Sequence, residues 1–132
     1  MQPNYIAGEW IVADNAIENR NPSDITDLIG TYAQAGTDQL DRALDSARTA
    51  QKQWQATGLE ARQTALMQIG TALMARADEL GALLSREEGK PRAEGRGEVY
   101  RAGQFFTYYA AEVLRQIGDN ADSVRPGIEI DV

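Results

Sequence analysis

The stretch EEGKPRAEGRGEVYRAGQFFTYYAAEVLRQIGD, residues 87–119, decides how the rest of the chain is read. Its spacing predicts one long helix. Pro91 suits a first helical turn, because the amide it lacks has no partner there in any case. Gly118 stands just past the far end, where a left-handed cap costs glycine least. Between them Val99, Ala102, Phe106, Tyr109, Ala110, Val113 and Ile117 recur at steps of three and four, one face of a 3.6-residue helix. Phe105 and Tyr108 widen that face. Hiding each large apolar side chain is worth about 1.5–3 kcal/mol, so the face demands a cover.

Upstream, Thr57-Gly58-Leu59-Glu60 matches a capping box, Thr followed three residues later by Glu. The helix it opens carries Leu66, Ile69 and Leu73, then Leu80, Leu83 and Leu84. Asp78 is read as a fresh cap after a break. Thr37, with Asp38 behind it, is expected to cap an earlier helix whose apolar side is Leu40, Ala43, Leu44, Ala47 and Trp54. Before that, residues 4–12 place β-favouring side chains on either side of Ala7-Gly8, a hairpin signal. Residues 17–20 and 28–34 flank the turn-forming Asn21-Pro22-Ser23-Asp24.

Downstream, residues 123–132 turn extended. Ile128, Ile130 and Val132 alternate with Glu129 and Asp131, a strand pattern with no partner strand in view. The expected class is therefore α+β and mainly helical. A small β-hairpin or sheet fills residues 1–36, three to four helices including the long one fill 37–118, and a C-terminal strand lies in 123–132.

Composition narrows the function. The chain of 132 residues carries 13 basic and 20 acidic side chains, a net charge of −7, and all its cations but Lys52 and Lys90 are arginine. The cations are scattered, which argues against nucleic acid or an anionic membrane as partner. No apolar run approaches the ~20 residues of a membrane span, and the start MQPNYIAGEW lacks the pattern of a signal peptide. A soluble, cytoplasmic chain is the expectation.

Chemistry is scarce. With no cysteine and no histidine, the chain has no thiolate, no imidazole base and none of the usual zinc ligands. Glu87 and Glu88 are neighbours on a helix and point about 100° apart, too divergent to share a proton. Glu94 and Glu98 share a face, but Arg92, Arg96 and Arg101 beside them make it a solvated charged side. Gly95-Arg96-Gly97 lacks the strand and the third glycine of a phosphate loop, and Gly89-Lys90 reads as a helix junction. Arg101, beside Phe105 and Tyr108, is open to two readings: a fork for an anionic substrate group, or a surface pair with Glu98.

The order of pieces resembles the start of the aldehyde dehydrogenase superfamily. The residues that carry it are Tyr5-Ile6-Ala7-Gly8-Glu9-Trp10, Asn21-Pro22-Ser23, Trp54, Arg62 through Leu73, and Asp78-Glu79-Leu80. Glu87-Glu88-Gly89-Lys90-Pro91, Glu98-Val99, Tyr108-Tyr109-Ala110 and Gly118 continue it. Each motif alone is weak; their order and spacing are specific, and together they span nearly the whole chain. It looks most similar to dehydrogenases of 2-oxoglutarate semialdehyde and related bacterial semialdehydes.

The resemblance implies a chemistry in which a cysteine thiolate attacks an aldehyde, hydride passes to NAD or NADP, and a glutamate activates water to release the acid. It covers roughly the first quarter of such an enzyme. The cysteine, the glutamate, the oxyanion asparagine and the cofactor loop have no counterpart here. The expectation is an N-terminal segment that binds no cofactor itself and is inactive alone. Its partners would be the rest of the dehydrogenase chain, a homo-oligomer, or both. By register from Tyr108-Tyr109-Ala110, the resemblance assigns the substrate-tunnel side to Gly97 and Arg101, with Gln104 or Phe105 close by. It matches Glu87 to a monovalent-cation ligand acting with the backbone around Asn19 and Arg20. Residues 123–132 would begin the arm that pairs between subunits. The alternative is a free-standing helical interaction module without catalytic activity.

Overall fold

In a computed structural model, which describes residues 1–115 and 118–131, the chain begins with two hairpins. β1 (Asn4–Ile6) and β2 (Glu9–Ile11) pair antiparallel, with Tyr5 opposite Trp10. Ala7 and Gly8 both have positive φ, 55° and 85°, the mirror-image turn that a two-residue hairpin loop favours. β3 (Asn15–Asn21) and β4 (Asp24–Gln34) pair around Pro22-Ser23, with a register shift near Arg20. Gln2 bridges to Tyr32 and ties the two hairpins together. Ile6 and Ala33 are their buried residues.

Four helices follow: α1 (Thr37–Ala56), α2 (Leu59–Ala75), α3 (Ala77–Glu88) and α4 (Arg92–Glu112). The expected caps moved by one residue. Gly36, not Thr37, precedes α1, and Gly58, not Thr57, precedes α2; neither makes a side-chain cap. Thr57 closes α1 instead, its hydroxyl donating to the Gln53 carbonyl at 2.9 Å. The break expected near Asp78 falls at Arg76, whose guanidinium forks onto Glu79 at 2.9 and 2.7 Å.

The single long helix is two. Gly89 adopts φ 75° and terminates α3, and the residue before a proline avoids helical backbone, so the chain leaves Lys90 outside both helices and restarts after Pro91. At the far end α4 stops at Glu112 rather than near Gly118, and Ile117 lies outside the described residues. The final strand also has a partner: β5 (Asn120–Asp122) pairs antiparallel with β6 (Glu129–Asp131), correcting the expectation of none. Val132 lies outside the described residues.

Small residues, not the aromatics, make the helical seam. α4 packs against both α2 and α3, while α1 meets chiefly β1. Where α3 crosses α4, a Cβ on Gly81 would stand 2.5 Å from the Arg96 Cα, and one on Gly95 would stand 2.5 Å from the Gly81 carbonyl oxygen. Where α2 crosses α4, a Cβ on Gly70 would stand 2.7 Å from the Gly103 carbonyl oxygen. Ala77 and Ala110 are buried beside these crossings, whereas Phe105, Tyr108 and Tyr109 of the expected apolar face are 58–59% exposed. The total accessible surface is 10050 Å². A self-contained globule of this mass exposes about 6,900 Å². The difference, about 3,000 Å², is surface that a closed globule of this mass would cover.

Polar contacts hold the second hairpin to the α3–α4 junction. Arg86 forks onto Asp27 at 3.0 and 2.6 Å, and Ser23 Oγ donates to the Gly89 carbonyl at 3.3 Å. The Arg86 hydrogen bond, with help from Asn21, holds the Asp27 carboxyl below its ordinary value near 3.8. A pKa lowered by folding contributes stability above the unfolded value, and that contribution is lost as pH falls through the folded one.

Two outcomes are expected from this packing. Gly81→Ala or Gly103→Ala destabilises the helical unit by about 1–3 kcal/mol, through overpacking against backbone; a denaturant midpoint within error of the parent would contradict the close crossing. Asp27→Asn removes part of the acid sensitivity below about pH 4, seen as a shallower loss of helical circular dichroism on acidification.

Candidate functional site

The outer side of α4 is where the candidate residues meet. Gly97, Arg101 and Phe105 succeed one another at four-residue steps and line one open groove of about 550 Å³ together with Glu94, Glu98 and Ala102. Gly97 is its bare floor: a Cβ there would touch nothing within 4 Å. Arg101 and Phe105 also border a second hollow of about 330 Å³ with Gln104, Tyr108 and Tyr109. The two tyrosine rings meet edge to face at 5.2 Å. All four tunnel residues named by register therefore lie along one contiguous surface.

That surface has one cation in reach and aromatic walls. Arg101 is exposed, and among the described residues no carboxylate lies within 4 Å of it. The surface pair with Glu98 does not form. Glu98 instead accepts from Lys90 Nζ through both oxygens at 2.7 Å, and the same ammonium pairs with Glu88. The Lys90 side chain is only 15% exposed, and its pKa is raised by Glu88 first and then Glu98. Arg96 reaches across to Asp78 at 2.8 Å, outside the groove. An exposed guanidinium flanked by phenyl and phenol rings can hold a carboxylate bidentately.

Glu87 lies elsewhere, at the end of α3. Its Oε1 accepts from Asn19 Nδ2 at 2.8 Å, so α3 and β3 do bring together the two stretches that the resemblance paired. Among the described residues no three His, Cys, Asp or Glu side chains cluster as a metal-ligand set. A dinucleotide cradle needs a strand, a glycine-rich turn and a helix start in succession. Here Gly95 and Gly97 sit inside α4 and each strand ladder is an antiparallel pair, so the described residues do not form that cradle.

The residues that the sequence reading passed over are Lys90 and the crossing glycines. Lys90 offered no signal of its own, because its partner Glu98 lies beyond the helix break. The glycines did leave one. Each costs an isolated helix about 1 kcal/mol relative to alanine, so four at helical positions point to close backbone approach.

Comparison with known proteins places this geometry. Glutarate-semialdehyde dehydrogenase of Pseudomonas putida is 35% identical over 95% of this chain and 26% of its own length. Succinate-semialdehyde dehydrogenase [NADP(+)] of Escherichia coli is 36% identical over 89% of this chain and 25% of its own. The crystal structure of an aldehyde dehydrogenase from Brucella melitensis biovar abortus superposes with a TM-score of 0.90, at 30% identity, over 96% of this chain and 26% of that one. The chain thus spans about a quarter of the length of the relatives it matches. The aldehyde dehydrogenase family model matches residues 10–130, and the chain belongs to that family.

Proposed function

We propose that this chain is the N-terminal segment of an NAD- or NADP-dependent dehydrogenase that oxidises a carboxylate-bearing semialdehyde to the diacid in the cytoplasm. Its task is to bind and orient. The observation that carries the reading is Arg101, exposed on the aromatic side of α4 and, among the described residues, without a carboxylate partner. Relatives named for glutarate and succinate semialdehydes support an anionic substrate tail. Arg101 would grip the distal carboxylate, with Gln104 and Phe105 beside it and Gly97 leaving room for the chain of the aldehyde. Oxidation of the aldehyde needs a nucleophile and a hydride acceptor. With neither cysteine nor histidine, this chain's residues supply neither the thiolate nor an imidazole base.

The division of labour follows the chain. Residues 1–36 would form the β-rich start, the helices of 37–112 the wall, and the segment that begins at 123 the oligomerisation arm. The uncovered aromatics of α4 and the uncovered side of α1 would lie against the rest of the dehydrogenase, a second subunit, or both. Glu87, steadied by Asn19, would serve as the carboxylate ligand of a monovalent cation together with backbone at Asn19 and Arg20.

Three measurements test the reading. Arg101→Ala in the full-length enzyme should raise KM for succinate semialdehyde roughly 10- to 100-fold, the loss of a hydrogen bond to a charged group, with little change for butanal. Equal effects on both aldehydes would discard the carboxylate grip. The pure 132-residue chain should form no NADH or NADPH from any aldehyde, and robust turnover would end the division proposed here. Light scattering should find the isolated chain self-associated, because its aromatics face water; a compact monomer with a sharp melt would contradict the uncovered face.

A further inference from the structure

The charges at the start of α4 give Lys90 a task beyond joining two helices. We propose that Lys90 is a positioning residue for substrate specificity: by holding Glu98, it keeps the Arg101 guanidinium open to an anionic substrate group. The inference rests on the reading of Arg101 given above.

Glu98 and Arg101 are three residues apart on one helix, a spacing at which opposite charges meet. Elsewhere in this chain that spacing closes for Arg48 with Asp45, Arg76 with Glu79 and Arg115 with Glu112, and it stays open between Arg42 and Asp45, where Arg42 pairs with Glu9 instead. Between Glu98 and Arg101 it stays open too, because both Glu98 oxygens are occupied by the Lys90 ammonium at 2.7 Å. The backbone explains the reach. Gly89 turns the chain with φ 75°, Pro91 restarts the helix, and Lys90 between them is left outside both, largely buried against them and able to lie along the first turns of α4.

The pairing acts in two ways. It removes the carboxylate best placed to occupy Arg101. It also neutralises a negative charge that lines the same groove and would repel an incoming carboxylate. Glu94 lines the groove too, but it stands seven residues before Arg101, about 10 Å along the helix axis. Glu88 shares the ammonium from the other side, which steadies Lys90 at the junction without approaching Arg101.

The experiment uses the full-length dehydrogenase and reads the ratio of KM for succinate semialdehyde to KM for butanal. Arg101→Ala sets the scale of that ratio. Lys90→Met, which keeps the bulk and removes the charge, should raise the ratio about two- to fivefold, the worth of an exposed ion pair. Lys90→Gln gives the same readout should the methionine variant prove insoluble. Adding Glu98→Gln to either variant should bring the ratio back toward the parent, and Lys90→Arg should hold it there. A general structural defect would move both KM values together and would not be rescued by Glu98→Gln. If Arg101→Ala shifts the ratio and neither Lys90 variant does, the role of Lys90 is overturned while the carboxylate grip stands. If Arg101→Ala leaves the ratio unchanged, both fall.

Discussion

The contact on which the rest depends is backbone against backbone. α4 crosses α3 at Gly81 and Gly95 and crosses α2 at Gly70 and Gly103, and at each crossing the space for a Cβ is already taken by the neighbouring helix. Close approach lets the main chains themselves make the van der Waals contact that side chains usually provide. The same choice turns the large residues of α4 away from its own neighbours. With glycine and alanine on the inside, Phe105, Tyr108 and Tyr109 are left for the outside. The aromatic wall of the groove and the tightness of the seam are two results of one arrangement.

That arrangement also accounts for the incompleteness of the unit. Among the described residues the buried apolar ones are Ile6, Ala33, Ala77 and Ala110, none of them aromatic, and α1 buries no residue at all. A core of this size cannot offset the conformational entropy of a whole chain by itself. More surface stays exposed than a closed globule of this mass would leave, and the relatives are about four times as long as this chain. The high structural similarity over nearly the whole chain means that these turns, helix breaks and crossings are those of the family's fold.

Electrostatics sharpen the picture at the α3–α4 junction. Four polar links converge there: Arg86 on Asp27, Asn19 on Glu87, Ser23 on Gly89, and Lys90 between Glu88 and Glu98. The first three fasten the hairpin of β3 and β4 to the helices. The last removes a carboxylate from the neighbourhood of Arg101. Exposed ion pairs add little to stability individually, so their value here lies in deciding which charges remain unpaired. Against a net charge of −7, an arginine on the groove face with no carboxylate partner among the described residues is the more conspicuous.

The local elements were legible in the residues themselves. The hairpin at Ala7-Gly8, the turn at Pro22-Ser23, the helical periodicities and the break before Asp78 all follow from conformational preferences acting within a few positions. Composition alone settles the absence of cysteine and histidine. The caps at Thr37 and Thr57 were misread by one residue, since a side chain able to cap can as well bond back to the preceding turn, as Thr57 does to Gln53. Gly89-Lys90 was legible as a helix junction and Pro91 as a first turn, but the periodicity beyond them hid that Glu87 and Glu88 belong to the preceding helix and that α4 ends at Glu112. Only the tertiary structure decided which face of α4 is inside, who holds Glu98, and that β6 finds β5. Each of these depends on a partner brought from a distance along the chain, and a helix's own spacing cannot tell a face that packs on glycine from one that waits for another surface.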